Sequence, residues 1–117
     1  MTETLVPGRE QTLQLIGLKV VRRRLAPAVV EIAGELDLAN AHELAQALGA
    51  AVAPGRALTL GLHGLTFMDC RGVAVLEALA IRQAPARVRL VGPSATILRL
   101  LSLTGTDNRV DTVIFAG

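Results

Sequence analysis

Leu58, Leu60 and Leu62 alternate with Thr59, Gly61 and His63, the period of two that a half-buried strand imposes, and predict a strand over 57–65. Upstream, "AVVEIAGE" (28–35) is a β-branched run with the look of a buried strand. Residues 12–22 mix Leu13, Leu15, Leu18 and Val20 with polar positions and read as one edge strand, followed by a turn at "RRLAP" (23–27). Three stretches change period. Leu44, Leu48, Ala51 and Val52 fall on one helical face behind Asn40, a capping residue with Glu43 three positions on, and Pro54-Gly55 ends that run. Val73, Leu76 and Ala80 repeat the pattern from Arg71 to Gln83, until Pro85. Ile97, Leu100 and Leu101 repeat it after Ser94, opposite Arg99 and Ser102, with Gly105 placed for a left-handed C-terminal cap. Short strands at 87–92 and 109–115 complete the order strand, strand, helix, strand, helix, strand, helix, strand. Because the last three strands each follow a helix, the pattern predicts parallel crossovers and an α/β fold, with helices covering at least one face of the sheet.

Length and composition narrow this further. A chain of 117 residues has room for one core, and residues 11–117 are read as a single domain behind a polar, frayed terminus at 1–10. With 51% hydrophobic residues the core is substantial, and with Phe67 and Phe115 as the aromatics it is aliphatic. Nucleic-acid binding by base stacking therefore has little to work with. The net charge of +2 is small, and the cluster Arg22, Arg23 and Arg24 reads as a solvated turn or strand edge rather than a phosphate patch. One cysteine excludes an internal disulfide and a cysteine-rich zinc site. His42 and His63 have no neighbouring ligand at metal spacing and read as surface or packing residues, so no metal or cofactor is expected. No run of 18 apolar residues and no apolar leader occurs, which points to the cytoplasm and away from a membrane.

One stretch carries candidate chemistry. "LTFMDCRGVAVLEAL" (65–79) places the sole cysteine where a strand hands over to a helix, and loops at the carboxyl ends of strands are where α/β sheets concentrate function. Asp69 can cap that helix by accepting from the amides of residues 71 and 72, while Gly72 allows close approach of another backbone or a partner. Cys70 then occupies the first helical position, near unpaired amides and the positive end of the helix dipole. A nucleophilic cysteine needs a base within hydrogen-bond reach. His63 is the candidate, with no evident third group to orient it. The plainer alternative is a small residue filling a serine-sized site. Glu35 and Asp37, two apart at a strand end, read as turn and helix lead-in rather than as an acid/base pair. Phosphate-cradling and nucleophile-elbow motifs are absent.

Three segments together resemble the STAS domain family. "VVEIAGELDLANAHEL" (29–44) is similar to its "GELD" strand and first helix. "LTLGLHGLTFMDCRGVAVL" (58–76) is similar to its strand, "F-M-D-S-x-G" loop and second helix, and "ILRLLSLTGTDNRVDTVIF" (97–115) to its closing helix, "L-T-G" turn and last strand. The resemblance implies a mixed sheet of about five strands with three to four helices. It also implies a stand-alone anti-sigma factor antagonist, monomeric or weakly dimeric, that binds an anti-sigma factor of the serine-kinase type and frees a sigma factor. Such a protein is switched by phosphorylation of the serine after the loop aspartate. Here Cys70 holds that position and Arg71 replaces the small residue beyond it, while Asp69 and Gly72 keep the frame. The partner surface implied is Asp37, Asn40, Asp69, Cys70, Arg71 and Gly72. Three readings remain open: an antagonist that lacks the serine switch, a scaffold or redox-responsive binding module of the same fold with a different partner, and a small cysteine-dependent enzyme.

Overall fold

The computed structural model describes residues 10–23 and 27–114. The elements are β1 (Gln11–Leu15), β2 (Leu18–Arg23), β3 (Ala28–Leu36), α1 (Ala41–Ala51), β4 (Leu58–Met68), α2 (Cys70–Gln83), β5 (Val88–Val91), α3 (Ala95–Thr104), a 3-10 turn (Thr106–Asn108) and β6 (Asp111–Val113). Among the described residues they form one six-stranded sheet in the order β1-β2-β3-β4-β5-β6. β1, β2 and β3 pair antiparallel, and β3 to β6 pair parallel. The α/β class and mixed sheet are as the pattern predicts.

Strand number differs for a specific reason. The stretch read as one edge strand, 12–22, is a hairpin, because Gly17 at φ +73° reverses the chain after Ile16. Leu13, Leu15, Leu18 and Val20 keep a common buried face through the reversal. The turn expected at 23–27 begins inside β2, and its residues 24–26, like most of the terminus expected at 1–10, lie outside the described residues.

Right-handed crossovers that step in one direction across a sheet place their helices on one face, and burial has that arrangement. Val20, Ile32, Leu60 and Leu90 point to the face that also receives Leu44 and Leu48 of α1, Leu76 and Leu79 of α2, and Leu101 of α3. The core is aliphatic, as composition requires. Lys19, Glu31, His63 and Arg89 stand exposed on the opposite face. Arg22 departs from its reading as a solvated residue: it shares the inward register of Leu18 and Val20, is buried, and donates from Nη1 to the carbonyl of Arg23.

Buried polar side chains join the elements. Gln83, at the end of α2, donates from Nε2 to the carbonyls of Ala53 and Arg56, both at 2.8 Å, and accepts from Arg82 Nη1 at 2.8 Å. Arg82 in turn donates to the carbonyls of Val52 at 2.6 Å and Gly49 at 3.0 Å, closing the carbonyl end of α1 that its own residues leave open. At the other side of α2, buried Thr106 donates to Glu77 at 2.9 Å, and Arg109 pairs with the same carboxylate at 2.9 Å. Ser94 and Gly105 cap α3 as predicted, Ser94 by accepting from the Ile97 amide at 3.2 Å and Gly105 in the left-handed region at φ 77°.

Gln83→Ala removes a buried side chain and the two bonds that it donates to the loop between α1 and β4. We expect it to destabilise the fold by about 2–3 kcal/mol while leaving the start of α2, at the helix's far end, in place. Denaturant unfolding of the variant, read against the wild type, checks this; an unchanged midpoint would refute it.

Candidate functional site

β3 and β4 end side by side, with Leu36 opposite Met68, and the amide of Asp69 donates across to the carbonyl of Leu36 at 3.2 Å. The loops that follow the two strands are therefore neighbours, as their shared place at the carboxyl edge requires. The expected cap is present: Asp69 Oδ1 accepts from the amides of Arg71 at 2.8 Å and Gly72 at 3.4 Å. Cys70 opens α2 as a free, exposed thiol, and Arg71 beside it is exposed. Gly72 is buried, and its role differs from the expectation. A Cβ there would lie 2.4 Å from Met68 Cγ and 2.9 Å from Leu36 Cγ, so the small residue admits the chain's own core side chains rather than a partner.

The loop after β3 is held by Asn40. It stands at the N-cap position of α1 but makes no side-chain cap bond, and it is 1% exposed. Its Oδ1 accepts from the Asp37 amide at 3.1 Å. Its Nδ2 donates to the carbonyls of Ile16 at 2.7 Å and Glu35 at 2.8 Å. The capping box with Glu43 is thus not formed; the Asn40 amide donates instead to the Asp37 carbonyl at 3.2 Å. Asp37 is half-buried and its Oδ1 accepts from the Ala39 amide at 3.0 Å, an Asx turn that fixes the loop. The hairpin turn is drawn onto the same edge, where the Glu35 amide donates to Gly17 O at 2.9 Å. Gly34 makes that approach possible: its φ is +113°, and a Cβ would lie 2.3 Å from Gly17 O.

Of the residues expected to face a partner, Cys70 and Arg71 are exposed, Asp37 and Asp69 are half-buried and engaged with local amides, and Asn40 and Gly72 are buried. The last two shape the edge and do not present side chains on it. The partner segments read from the sequence, 36–40 and 66–72, contain Leu38 and Phe67 without singling them out, and Ile16 lies outside them. Ile16 is 73% exposed, Leu38 70% and Phe67 48%, on the hairpin turn, the loop after β3 and the end of β4. A signal was available in "DLAN", where an apolar residue interrupts a polar loop. Phe67 was hidden by an irregularity in β4, in which Glu35 pairs with Phe67 one step after Gly34 pairs with Leu65.

Chemically, this edge offers an exposed thiol, a guanidinium and apolar side chains on a fixed backbone. His63, considered as a base for Cys70, is turned onto the sheet face away from the helices, in a groove with Lys19, Arg23 and Glu31. Among the described residues no three His, Cys, Asp or Glu side chains gather to hold a metal ion, and no helix is long and apolar enough to cross a membrane. Thr66, the nearest hydroxyl before the aspartate, is inside β4 and donates to the Gly34 carbonyl at 3.1 Å.

Residues 19–114 match a family model described as Mlab, STAS domain. The anti-sigma-F factor antagonist RsfA of Mycobacterium tuberculosis (strain CDC 1551 / Oshkosh) is 35% identical over 82 residues, 66% of this chain. The match spans 64% of that relative's length. Among solved structures, an anti-sigma factor antagonist from Mycobacterium paratuberculosis superposes with a TM-score of 0.73 at 26% identity, covering 81% of this chain and 84% of its own. The anti-sigma factor antagonist SpoIIAA in its unphosphorylated form superposes with a TM-score of 0.67, covering 80% of this chain and 87% of its own. At 18% identity the latter speaks to the fold alone.

Substitutions at two positions test the construction of the edge. Asn40→Ala strips hydrogen bonds from three backbone groups around a buried side chain and is expected to cost about 2–3 kcal/mol. Asn40→Asp is expected to be no better, since a carboxylate cannot donate to the Ile16 and Glu35 carbonyls. Denaturant midpoints for both variants decide it, and a wild-type midpoint for Asn40→Asp would show that the two donated bonds carry no weight. Gly72→Ala gains about 1 kcal/mol of helix propensity but overpacks Met68 and Leu36 at a cost of about 1–3 kcal/mol. The expected net is destabilisation.

Proposed function

The chain belongs to the STAS domain family, and on that premise we propose that it is an anti-sigma factor antagonist: a binding module, rather than an enzyme, that docks an anti-sigma factor of the serine-kinase type and so releases a sigma factor. The observation that carries this reading is the carboxyl edge of the sheet. There Ile16, Leu38 and Phe67 stand exposed on elements joined by hydrogen bonds to the capped start of α2, with Cys70 and Arg71 at the surface. Apolar side chains with a charged neighbour on a rigid backbone are what a protein partner can bury at little ordering cost. The relatives named as antagonists support the class of partner.

The serine switch is absent in this reading. Cys70 stands at the phosphoacceptor position and carries no hydroxyl, nor does Arg71, and the Thr66 hydroxyl is engaged within β4. A phosphate at that point would add nearly two negative charges at the helix start beside Asp69, and this chain forgoes it. Exposure of Cys70 favours a second, redox-responsive version of the same module. In it the Cys70 thiolate attacks one sulfur of a small disulfide such as oxidised glutathione, the new S–S bond forms, and the other half leaves as a thiolate. The adduct places bulk where the partner docks.

Binding of the cognate anti-sigma factor tests the surface. Asp69→Asn keeps an oxygen acceptor for the helix cap while removing the charge, and Arg71→Ala removes the neighbouring cation. Each is expected to weaken binding about tenfold or more, an effect of about 1.4 kcal/mol, without unfolding the domain. Leu103→Ser, on exposed α3, is expected to bind as the wild type does. The reverse outcome would overturn the assignment.

A kinase assay tests the switch. The wild type should take up no phosphate from a serine-kinase partner, whereas Cys70→Ser supplies an acceptor between Asp69 and Gly72. Phosphate on wild-type Thr66 would contradict the reading. Oxidised glutathione should weaken partner binding by the wild type and leave Cys70→Ser indifferent; equal loss in both would refute the redox version alone.

A further inference from the structure

The sheet face away from the helices carries a groove of about 250 Å³, with Lys19 and Arg23 of β2 on one side, Glu31 and Ala33 of β3 beneath, and Gly61, His63 and Gly64 of β4 on the other. Its floor is glycine for a local reason, since the Glu31 side chain lies over Gly61 and Ala33 Cβ lies against Gly64. Gly61 and Gly64 stand mid-strand in β4, where a sheet gains from a β-branched side chain, and glycine at such a place often marks the close approach of something else. Between them β4 bulges: Glu31 pairs with Gly61 and Ala33 with Gly64, so two steps along β3 meet three along β4. The bulge sends both His63 and Gly64 to this face, while Leu62 and Leu65 stay in the core. An imidazole wall and a glycine floor therefore arise from the same irregularity.

The acids near the groove gather on Arg23 and not on Lys19. Arg23 bonds Glu31 at 2.8 Å and lies 3.6 Å from Glu10. That hydrogen bond holds the Glu31 carboxyl below the usual carboxylate range, so the acid is spent on Arg23. Lys19, opposite Ala33 across the β2–β3 ladder, is exposed and has no ion-pair partner among the described residues. Val21 and Ala33 offer apolar surface beside its ammonium.

We propose that this groove is a binding site for a small organic acid, its carboxylate held by Lys19 with the His63 ring alongside and its carbon body resting on Ala33, Gly61 and Gly64. The size sets the class. Drug-sized ligands and larger cofactors occupy pockets of about 300–1,000 Å³, and this groove falls below that range. An acid of a few carbons fits it.

Titration of the full chain with succinate, followed by amide resonances in ¹H–¹⁵N spectra, tests the proposal. Saturable shifts are expected at residues 19, 31, 33 and 61–64, with succinamide and inorganic phosphate binding about tenfold more weakly. Lys19→Gln, a change at an exposed site, should weaken succinate about tenfold with the rest of the spectrum preserved. Gly61→Ala is a second probe of the floor. Its Cβ would lie 3.0 Å from Glu31 Cγ, so a shift of that side chain of a few tenths of an ångström accommodates it while the ligand loses space. Absence of saturable shifts with succinate, equal binding of inorganic phosphate, or affinity unchanged in Lys19→Gln would each overturn the proposal.

Discussion

The carboxyl edge of this sheet rests on one buried amide. Asn40 has one acceptor and two donors directed at three backbone groups from two separate turns: the Asp37 amide, the Glu35 carbonyl and the Ile16 carbonyl. The buried amide of Asn40 must itself be paired, and only a side chain with both an acceptor and donors, at this length, pairs all three. Aspartate cannot donate and serine cannot reach. Through this residue the β1–β2 turn, the loop after β3 and, by way of the Leu36 carbonyl, the Asp69 cap of α2 form one rigid edge. Ile16 and Leu38 stand exposed on this bonded backbone.

α2 is held along its whole length. Asp69 caps its start, Glu77 receives Thr106 and Arg109 at its middle, and Arg82 with Gln83 ties its end to the loop behind α1. A helix anchored at three heights does not pivot easily about its first residue. A group attached to Cys70 therefore acts mainly on whatever docks there, by bulk or charge, and little on the domain itself. The same reasoning accounts for how a cysteine can sit at this position without harm to the fold: the cap depends on Asp69, and the thiol makes no packing contact that the helix needs, being exposed.

Much of this was legible in the sequence, and the failures share a cause. Period and caps predicted α2, α3, Ser94, Gly105 and the Asp69 cap, because each depends on neighbours within four residues. What escaped depends on contacts across the chain. Asn40 has the composition of a local cap, yet its side chain is claimed by Ile16, 24 residues away. Gly72 suggests room for a partner, but the space is filled by Met68 and Leu36. Arg22 sits in a run of three arginines that reads as solvated, although the β2 register turns it inward. Local chemistry named the residue types correctly and tertiary demand reassigned their partners.

β4 carries the most information per residue, and its spacing explains why. Its buried apolar side chains are Leu58, Leu60, Leu62, Leu65 and Met68, so the interval changes from two to three partway along. An interval of three imitates a helix, which is why the strand was expected to end at residue 65 when it runs to Met68. Physically, each longer interval is a register shift against β3, one between Glu31 and Ala33 and one between Gly34 and Glu35. Each shift pushes two consecutive residues outward. The first pair, His63 and Gly64, forms the groove on the bare face, and the second, Thr66 and Phe67, delivers an exposed aromatic beside the helix start. A regular strand would have sent one residue of each pair into the core. The two surfaces with a claim to binding in this molecule thus come from the same device used twice in one strand.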